Sequence, residues 1–302
     1  MFQHILCPID FTSFSDRAVR QAVAIARCEN APITGIHVIA PDGVRGIFRD
    51  EIGPYPTSTD LTRMQAHLLK VLQEADAPSP TAVAVCGDPA VEIVKLAGSL
   101  PADLIILGAR GRTGLAEGTC GSVTEEVLCH APSPVITVPQ TWESSAAAGQ
   151  KVFRRIVCAI DFSPASLKAL RYAAALAEAC RSTLLVSHVV EPEIALAGIT
   201  NRLGSPEPPT DSIWRHRLHE AVDRDLPRGA EVQERLMTGD PASEILRLAQ
   251  EESADLIVIG SHRGNPPGCV MNAVVTRSRC PALAVRVSAL SGTSAIAGDS
   301  NA

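Results

Sequence analysis

The sequence predicts an α/β protein made of two doubly wound, five-stranded parallel sheets of strand order 3-2-1-4-5, one in each of two tandem units. Three observations predict it. Residues 2–41 align with residues 153–192 without a gap, and a second block repeats with one residue more of offset. Each copy alternates short aliphatic runs with helical patterns. Runs such as Leu104-Ile105-Ile106-Leu107 are apolar at every position, which asks for burial on both faces and so for a parallel sheet covered by helices. A period this long indicates duplicated units rather than a solenoid of short repeats.

The elements follow in order. In the first copy strands are expected near 3–9, 33–40, 80–86, 103–108 and 134–139, and helices near 14–29, 59–75, 88–99 and 121–130. Phe2 to Phe11 lies over Phe153 to Phe162, and both read Phe-x-x-Ile-x-Cys-x-Ile-Asp-Phe. His37-Val38 lies over His188-Val189 at the end of the second strand. Gly87-Asp88-Pro89-Ala90 matches Gly239-Asp240-Pro241-Ala242. Asp88 and Asp240 are good N-caps, and a proline suits the first helical turn because its missing N–H would be unpaired there anyway. Ala102 to Ile105 matches Ala254 to Ile257. The unit boundaries read as 1–140, a small polar linker 141–152, 153–287, and a Ser/Ala/Gly-rich disordered tail 288–302. Residues 41–58 and 192–210 are matching surface loops after the second strand of each copy.

Composition bounds the function. A chain of 302 residues with 46% hydrophobic residues can bury a core without disulfides, and 3% aromatics makes that core aliphatic. The net charge of -6 gives no electrostatic reason to expect nucleic acid as a partner. No apolar run approaches the roughly 20 residues that span a bilayer. The N-terminal segment has neither the basic start nor the apolar stretch of a signal peptide, so a cytoplasmic, membrane-free protein is expected. The nine cysteines lack metal-ligand spacing and read as reduced thiols, buried at Cys7 and Cys158.

The chemistry points to the loop after the fourth strand, Gly108 to Thr124. Its glycines let the backbone turn tightly and approach a ligand. Successive N–H groups in such a turn make a concave donor nest, and the next helix adds unpaired amides with partial positive charge. Ser122, Thr124 and Arg112 offer further donors. It is neither a Walker loop nor the dinucleotide fingerprint. In a 3-2-1-4-5 sheet the first and fourth strands flank the switch point, so Asp10 and Gly108 face one crevice. A carboxylate beside an anion nest complements the two ends of a nucleotide. A competing role for Asp10 is to cap the following helix.

Gly108-x2-Gly111-x9-Gly121-Ser122 resembles the ATP-binding signature of the universal stress protein family, and the resemblance covers nearly the whole chain twice. It implies a Rossmann-like fold in each unit. Pro8, Ile9, Asp10 and Val38 would line an adenosine pocket, and Gly108, Gly111, Arg112, Gly121, Ser122 and Val123 would hold ribose and phosphates. Thr124 joins this set as a donor, and Thr124 or Asp10 would be the residue to help hold a magnesium ion. The family also implies dimerisation by pairing of final strands, which the two halves of one chain can supply; a homodimer of such chains is a further expectation.

The second copy departs from the pattern. Gly268-Cys269 falls over Gly121-Ser122, in a loop five residues shorter that contains Pro266 and Pro267. Two prolines remove two backbone donors, and a thiol is a weak donor. ATP is therefore expected in the first unit alone. The reading is a nucleotide-binding stress-response module rather than an enzyme, because no residue clearly activates water. Its rivals are a slow ATP hydrolase on the same fold and a nucleotide-free scaffold. His37 and His188 read as packed or pocket-edge residues, and Ser13, Ser15 and Ser163 as helix caps. Trp214 to His219 reads as a solvated helix face.

Overall fold

Alternation of apolar residues sets the layers. The computed structural model describes residues 2–40, 56–110, 120–143, 151–191, 211–227, 231–261 and 270–287. The linker and tail expected at 141–152 and 288–302 lie largely outside these residues, as do the two surface loops. The first half runs β1 (Ile5–Pro8), α1 (Ser13–Glu29), β2 (Ile33–Ile39), α2 (Ser58–Glu74), β3 (Thr81–Cys86), α3 (Pro89–Ser99), β4 (Leu104–Gly108), α4 (Ser122–His130) and β5 (Val135–Val138). The second runs β6 (Arg155–Ala159), α5 (Pro164–Cys180), β7 (Thr183–Val190), α6 (Asp211–Asp225), β8 (Val232–Thr238), α7 (Pro241–Glu251), β9 (Leu256–Ser261), α8 (Val270–Arg277) and β10 (Ala282–Arg286). Every expected element of the first half is present.

Each half has the order 3-2-1-4-5, with all pairs inside a half parallel. The two expected sheets are nevertheless one. β5 and β10 pair antiparallel, with Thr137 opposite Ala282 and Ile136 opposite Leu283, giving a ten-stranded sheet. The reason lies in the strands themselves. β5 and β10 are buried at every position, and strands of that kind cannot be left as open edges. The Thr137 hydroxyl reinforces the seam by donating to the Ala282 carbonyl at 3.3 Å. The strand pairing that the resemblance implied is thus supplied within the chain.

Two cores cover the two faces, and each runs through both halves. Ile5 and Cys7 of β1 point to one core with Leu104 and Ile106, while Leu6 points to the other with Ile105 and Leu107. Phe153 and Ile156 extend the first, and Ile257 and Ala282 the second. Full burial of an aliphatic side chain contributes roughly 1.5–3 kcal/mol. Cys7 and Cys158 are buried, and burial pushes the Cys7 thiol up to about 12. All eight described cysteines are free, but Cys28 and Cys86 are exposed, so buried thiols are only part of the set.

Asp88 and Asp240 cap α3 and α7 as expected, with a proline in the first turn of each. Ser163 caps α5. For α1 the expectation needs correcting. The cap is Thr12, whose side chain accepts from Ser15 N–H; neither Ser13, Ser15 nor Asp10 takes that place. Among the described residues no helix is long and apolar enough to cross a membrane.

Candidate functional site

β1 and β4 end side by side, and their C-terminal ends open a crevice at the point where the strand order reverses. Pro8 closes β1 and is half-buried, Ile9 is buried, and Asp10 stands just past it. Asp10 Oδ1 accepts from the Thr12 amide at 3.1 Å and the Thr12 hydroxyl at 2.6 Å. The carboxylate therefore builds the turn into α1 while remaining part of the crevice wall. Val38, one residue before the end of β2, is half-buried.

Between Asp10 and Thr12, Phe11 sits in the left-handed region at φ 60. Its copy Phe162 does the same at φ 62. A bulky residue there costs about 1–2 kcal/mol, and retaining it twice calls for a compensating gain. That gain is the placement of the ring. Phe11 lies 4.8 Å from His37 and 5.0 Å from His67 of α2, centroid to centroid. His37 is buried and its Nδ1 bonds the Ile9 carbonyl at 2.6 Å, so it packs at the edge of the crevice as expected. Sequence reading missed Phe11 and His67, although the Asp-Phe repeat carried the first.

On the other side, α4 begins at Ser122 with Gly121 as its N-cap. Of the six helices whose N-caps are described, five are closed by a Thr, Ser or Asp side chain. α4 is the exception: its N-cap is a glycine, and among the described residues no side chain caps its first turn. Its leading amides and the positive end of its dipole stand at the end of β4. The Gly121 amide donates to Ala109 O at 3.1 Å and anchors the turn to the end of β4. Ser122 is exposed and Val123 half-buried. Thr124 is buried, and its hydroxyl donates to the Gly108 carbonyl at 2.9 Å, so it braces β4 against α4. Gly108 has a packing reason of its own: a Cβ there would lie 3.0 Å from the Phe14 Cβ. Gly111 and Arg112 lie outside the described residues, as do Gly268, Cys269 and the two prolines of the second loop.

The second half keeps the scaffold and packs further side chains against its phenylalanine and histidine. Asp161 Oδ1 accepts from the Ser163 amide at 2.9 Å, and His188 Nδ1 bonds Ile160 O at 2.8 Å. Against Phe162 and His188, α6 adds Trp214, with ring centroids 6.3 Å and 5.1 Å away. The Arg217 guanidinium lies 4.5 Å from the Phe162 centroid and 5.1 Å from that of Trp214. Burial, against the pull of the Ile160 carbonyl, holds the His188 pKa below its ordinary value of 6.5. The helix carrying Trp214 is solvated on its other side, where His216 meets Glu220 and His219 meets Asp223. The sequence reading caught that face and missed the packed one.

The model of the universal stress protein family matches twice, at residues 1–139 and 153–286. A universal stress protein of Mycolicibacterium smegmatis is 28% identical over 283 residues, covering 90% of this chain and 92% of that protein. The universal stress protein YxiE of Bacillus subtilis is 31% identical over 148 residues, covering 45% of this chain and 100% of YxiE. Among solved structures, a universal stress protein of Archaeoglobus fulgidus superposes with a TM-score of 0.69 at 22% identity, covering 94% of this chain and 98% of that one. Two family matches, laid on the two halves of a duplicated sheet, establish that the chain belongs to the universal stress protein family, with the family unit present in tandem.

Proposed function

We infer that the chain is an ATP-binding stress-response module that takes one nucleotide, in its N-terminal half. The observation that carries this reading is the glycine N-cap of α4, placed at the end of β4 beside the switch point. Oriented amides at a helix N-terminus favour phosphate, and a glycine cap leaves room for its approach. Gly108, Gly111, Arg112, Gly121, Ser122 and Val123 would hold ribose and phosphates. Pro8, Ile9, Asp10 and Val38 would meet the adenosine end. Thr124 would hold the two walls together. Magnesium accompanying the nucleotide would be held chiefly by phosphate oxygens and water.

The second half serves as a degenerate partner. Trp214 and Arg217 lie on the Phe162 and His188 rings, where the first half has His67 on Phe11. Binding rather than turnover is the activity, in a cytoplasmic protein whose thiols stay reduced. A homodimer of such chains would use a surface other than β5, which is already paired with β10.

Native mass spectrometry of the purified full chain with ATP tests the reading. One ATP per chain is expected. Two equivalent ATP molecules would overturn the assignment to a single half, and no ATP at any concentration would overturn the function.

A further inference from the structure

A cavity of about 410 Å³ opens where the first half's last strand ends and the second half's strands begin. That volume falls within the roughly 300–1,000 Å³ of small-molecule sites. Trp142, just past β5, forms one wall. Its indole Nε1 donates to Gln21 Oε1 at 2.9 Å, and its carbonyl accepts from Arg17 at 2.6 Å, so α1 fixes the ring in place. Leu246, Ala249 and Cys280 give apolar surface. Arg154, Arg277 and Arg279 stand around the opening.

The charges do not cancel. Two carboxylates also line the cavity, Asp255 and Glu143. Asp255 is buried and accepts from the Arg154 and Arg155 amides at 2.7 and 3.0 Å. Its contact with the Arg154 guanidinium is a loose 3.9 Å. Glu143 is exposed and faces Arg17 at 4.0 Å. Arg277 and Arg279 make no ion pair among the described residues, and Arg277 feels Asp240 only at longer range. Guanidiniums gathered at one opening repel one another, a cost that a bound anion removes.

The duplication provides an internal control. Aligned on Phe2 with Phe153 and on Pro134 with Pro281, the positions of Arg154, Arg277 and Arg279 hold Gln3, His130 and Pro132 in the first half. The carboxylate is kept, since Asp103 accepts from the Gln3 and His4 amides just as Asp255 does in its half. Ala289 stands where Trp142 would recur. The fold therefore needs the aspartate in both copies but needs neither the three arginines nor the indole. Those are additions confined to one of two equivalent places.

We propose that this junction is a binding site for a small organic anion, with an aromatic or aliphatic body against Trp142 and a carboxylate, sulfonate or phosphate met by Arg277 and Arg279. The site is independent of the nucleotide crevice. The test uses the full chain and the probe 8-anilinonaphthalene-1-sulfonate, followed by fluorescence and calorimetry. One saturable site per chain is expected. Its affinity should fall by about tenfold or more in Arg277→Ser/Arg279→Ser, the loss expected for two charge-assisted contacts. Trp142→Ala should weaken it separately, and the neutral analogue N-phenyl-1-naphthylamine should bind about tenfold more weakly. Both arginines are exposed, so the double variant should melt with the parent; if it does not, Arg279→Ser alone carries the comparison. Non-saturable uptake, equal affinity for the neutral analogue, or unchanged affinity in the variants would overturn the proposal. Displacement of the probe by excess ATP would also overturn it, by giving the cavity to the nucleotide.

Discussion

The two halves share strand order, helix caps and a strained phenylalanine, and they differ in what stands at the ends of their strands. In the first half the ring of Phe11 meets His37 and His67. In the second, Phe162 meets His188 and lies beneath Trp214 and Arg217. A duplicated scaffold separates what the fold requires from what a site requires. Features kept in both copies, such as Asp103 with Asp255 and Asp88 with Asp240, tie elements together. Features held by one copy are not demanded by the fold.

The largest expected effect tests the scaffold. Gly108 and Gly260 are the same position, yet their surroundings differ. A Cβ at Gly260 would lie 2.4 Å from the Ser166 amide nitrogen, whereas at Gly108 its nearest neighbour is 3.0 Å away. Backbone cannot yield at the first distance. Gly260→Ala should cost about 3 kcal/mol or more, and Gly108→Ala about 1 kcal/mol. Urea titrations of the two variants check this. Equal losses would show that the two halves are packed alike at the end of the fourth strand.

Next comes the nucleotide. Gly121 sits at φ -65 and ψ 140, a conformation open to any residue, so Gly121→Val should fold normally. Its side chain would project at the N-terminal end of α4 and lower ATP affinity about a hundredfold or more, given the several oriented donors it would screen. Calorimetric titration measures it. Unchanged affinity would detach the proposed ATP from this helix end.

How much of this was legible beforehand follows from the physics of each feature. The strand at Ile33–Ile39 was readable because it lies inside the gapless repeat, with His37-Val38 over His188-Val189 near its end. Asp88 and Asp240 were readable because a capping aspartate before proline is a local signal. The fusion of two sheets into one was not visible in the strand pattern, since a buried edge does not say which strand covers it. Thr12 displaced Asp10 as the cap because Phe11 turns left-handed between them, and the sequence pattern does not announce a phenylalanine at positive φ. Trp214 and Arg217 were hidden for a different reason. The gapless alignment stops at residue 192, so nothing placed α6 over its counterpart α2. The candidate site was legible at Asp10, Gly108 and Gly121, where repeat and strand order agree. The aromatic stacking that distinguishes the halves depends on tertiary approach of a helix face.

Smaller effects sharpen the contrast under acid. The His188 pKa is lowered chiefly by burial, so the folded chain resists the proton that the unfolded chain accepts. Its neutral form therefore favours folding above the ordinary value of 6.5, and that contribution is lost as pH falls below it. Melting temperature should drop between about pH 7 and pH 5, with the loss reduced in His188→Gln. Amide exchange should show the second half opening first, because Arg217 adds a further positive charge over the same rings. Uniform opening of both halves would assign the acid sensitivity elsewhere.

The smallest effect asks whether the halves are energetically equivalent where they look identical. Asp88 accepts from the Val91 amide at 3.0 Å, and Asp240 from the Ser243 amide at 2.9 Å. Asp88→Ala and Asp240→Ala should each cost about 1 kcal/mol, the usual value of an N-cap. The pair lies in separate helices with no shared partner, so the double variant should lose the sum to within about 0.5 kcal/mol. A sum that falls short would mean that one half unfolds before the other and that the shared sheet does not bind them into one cooperative unit. A sum that holds would make the β5–β10 seam the element that couples two diverged copies into a single fold.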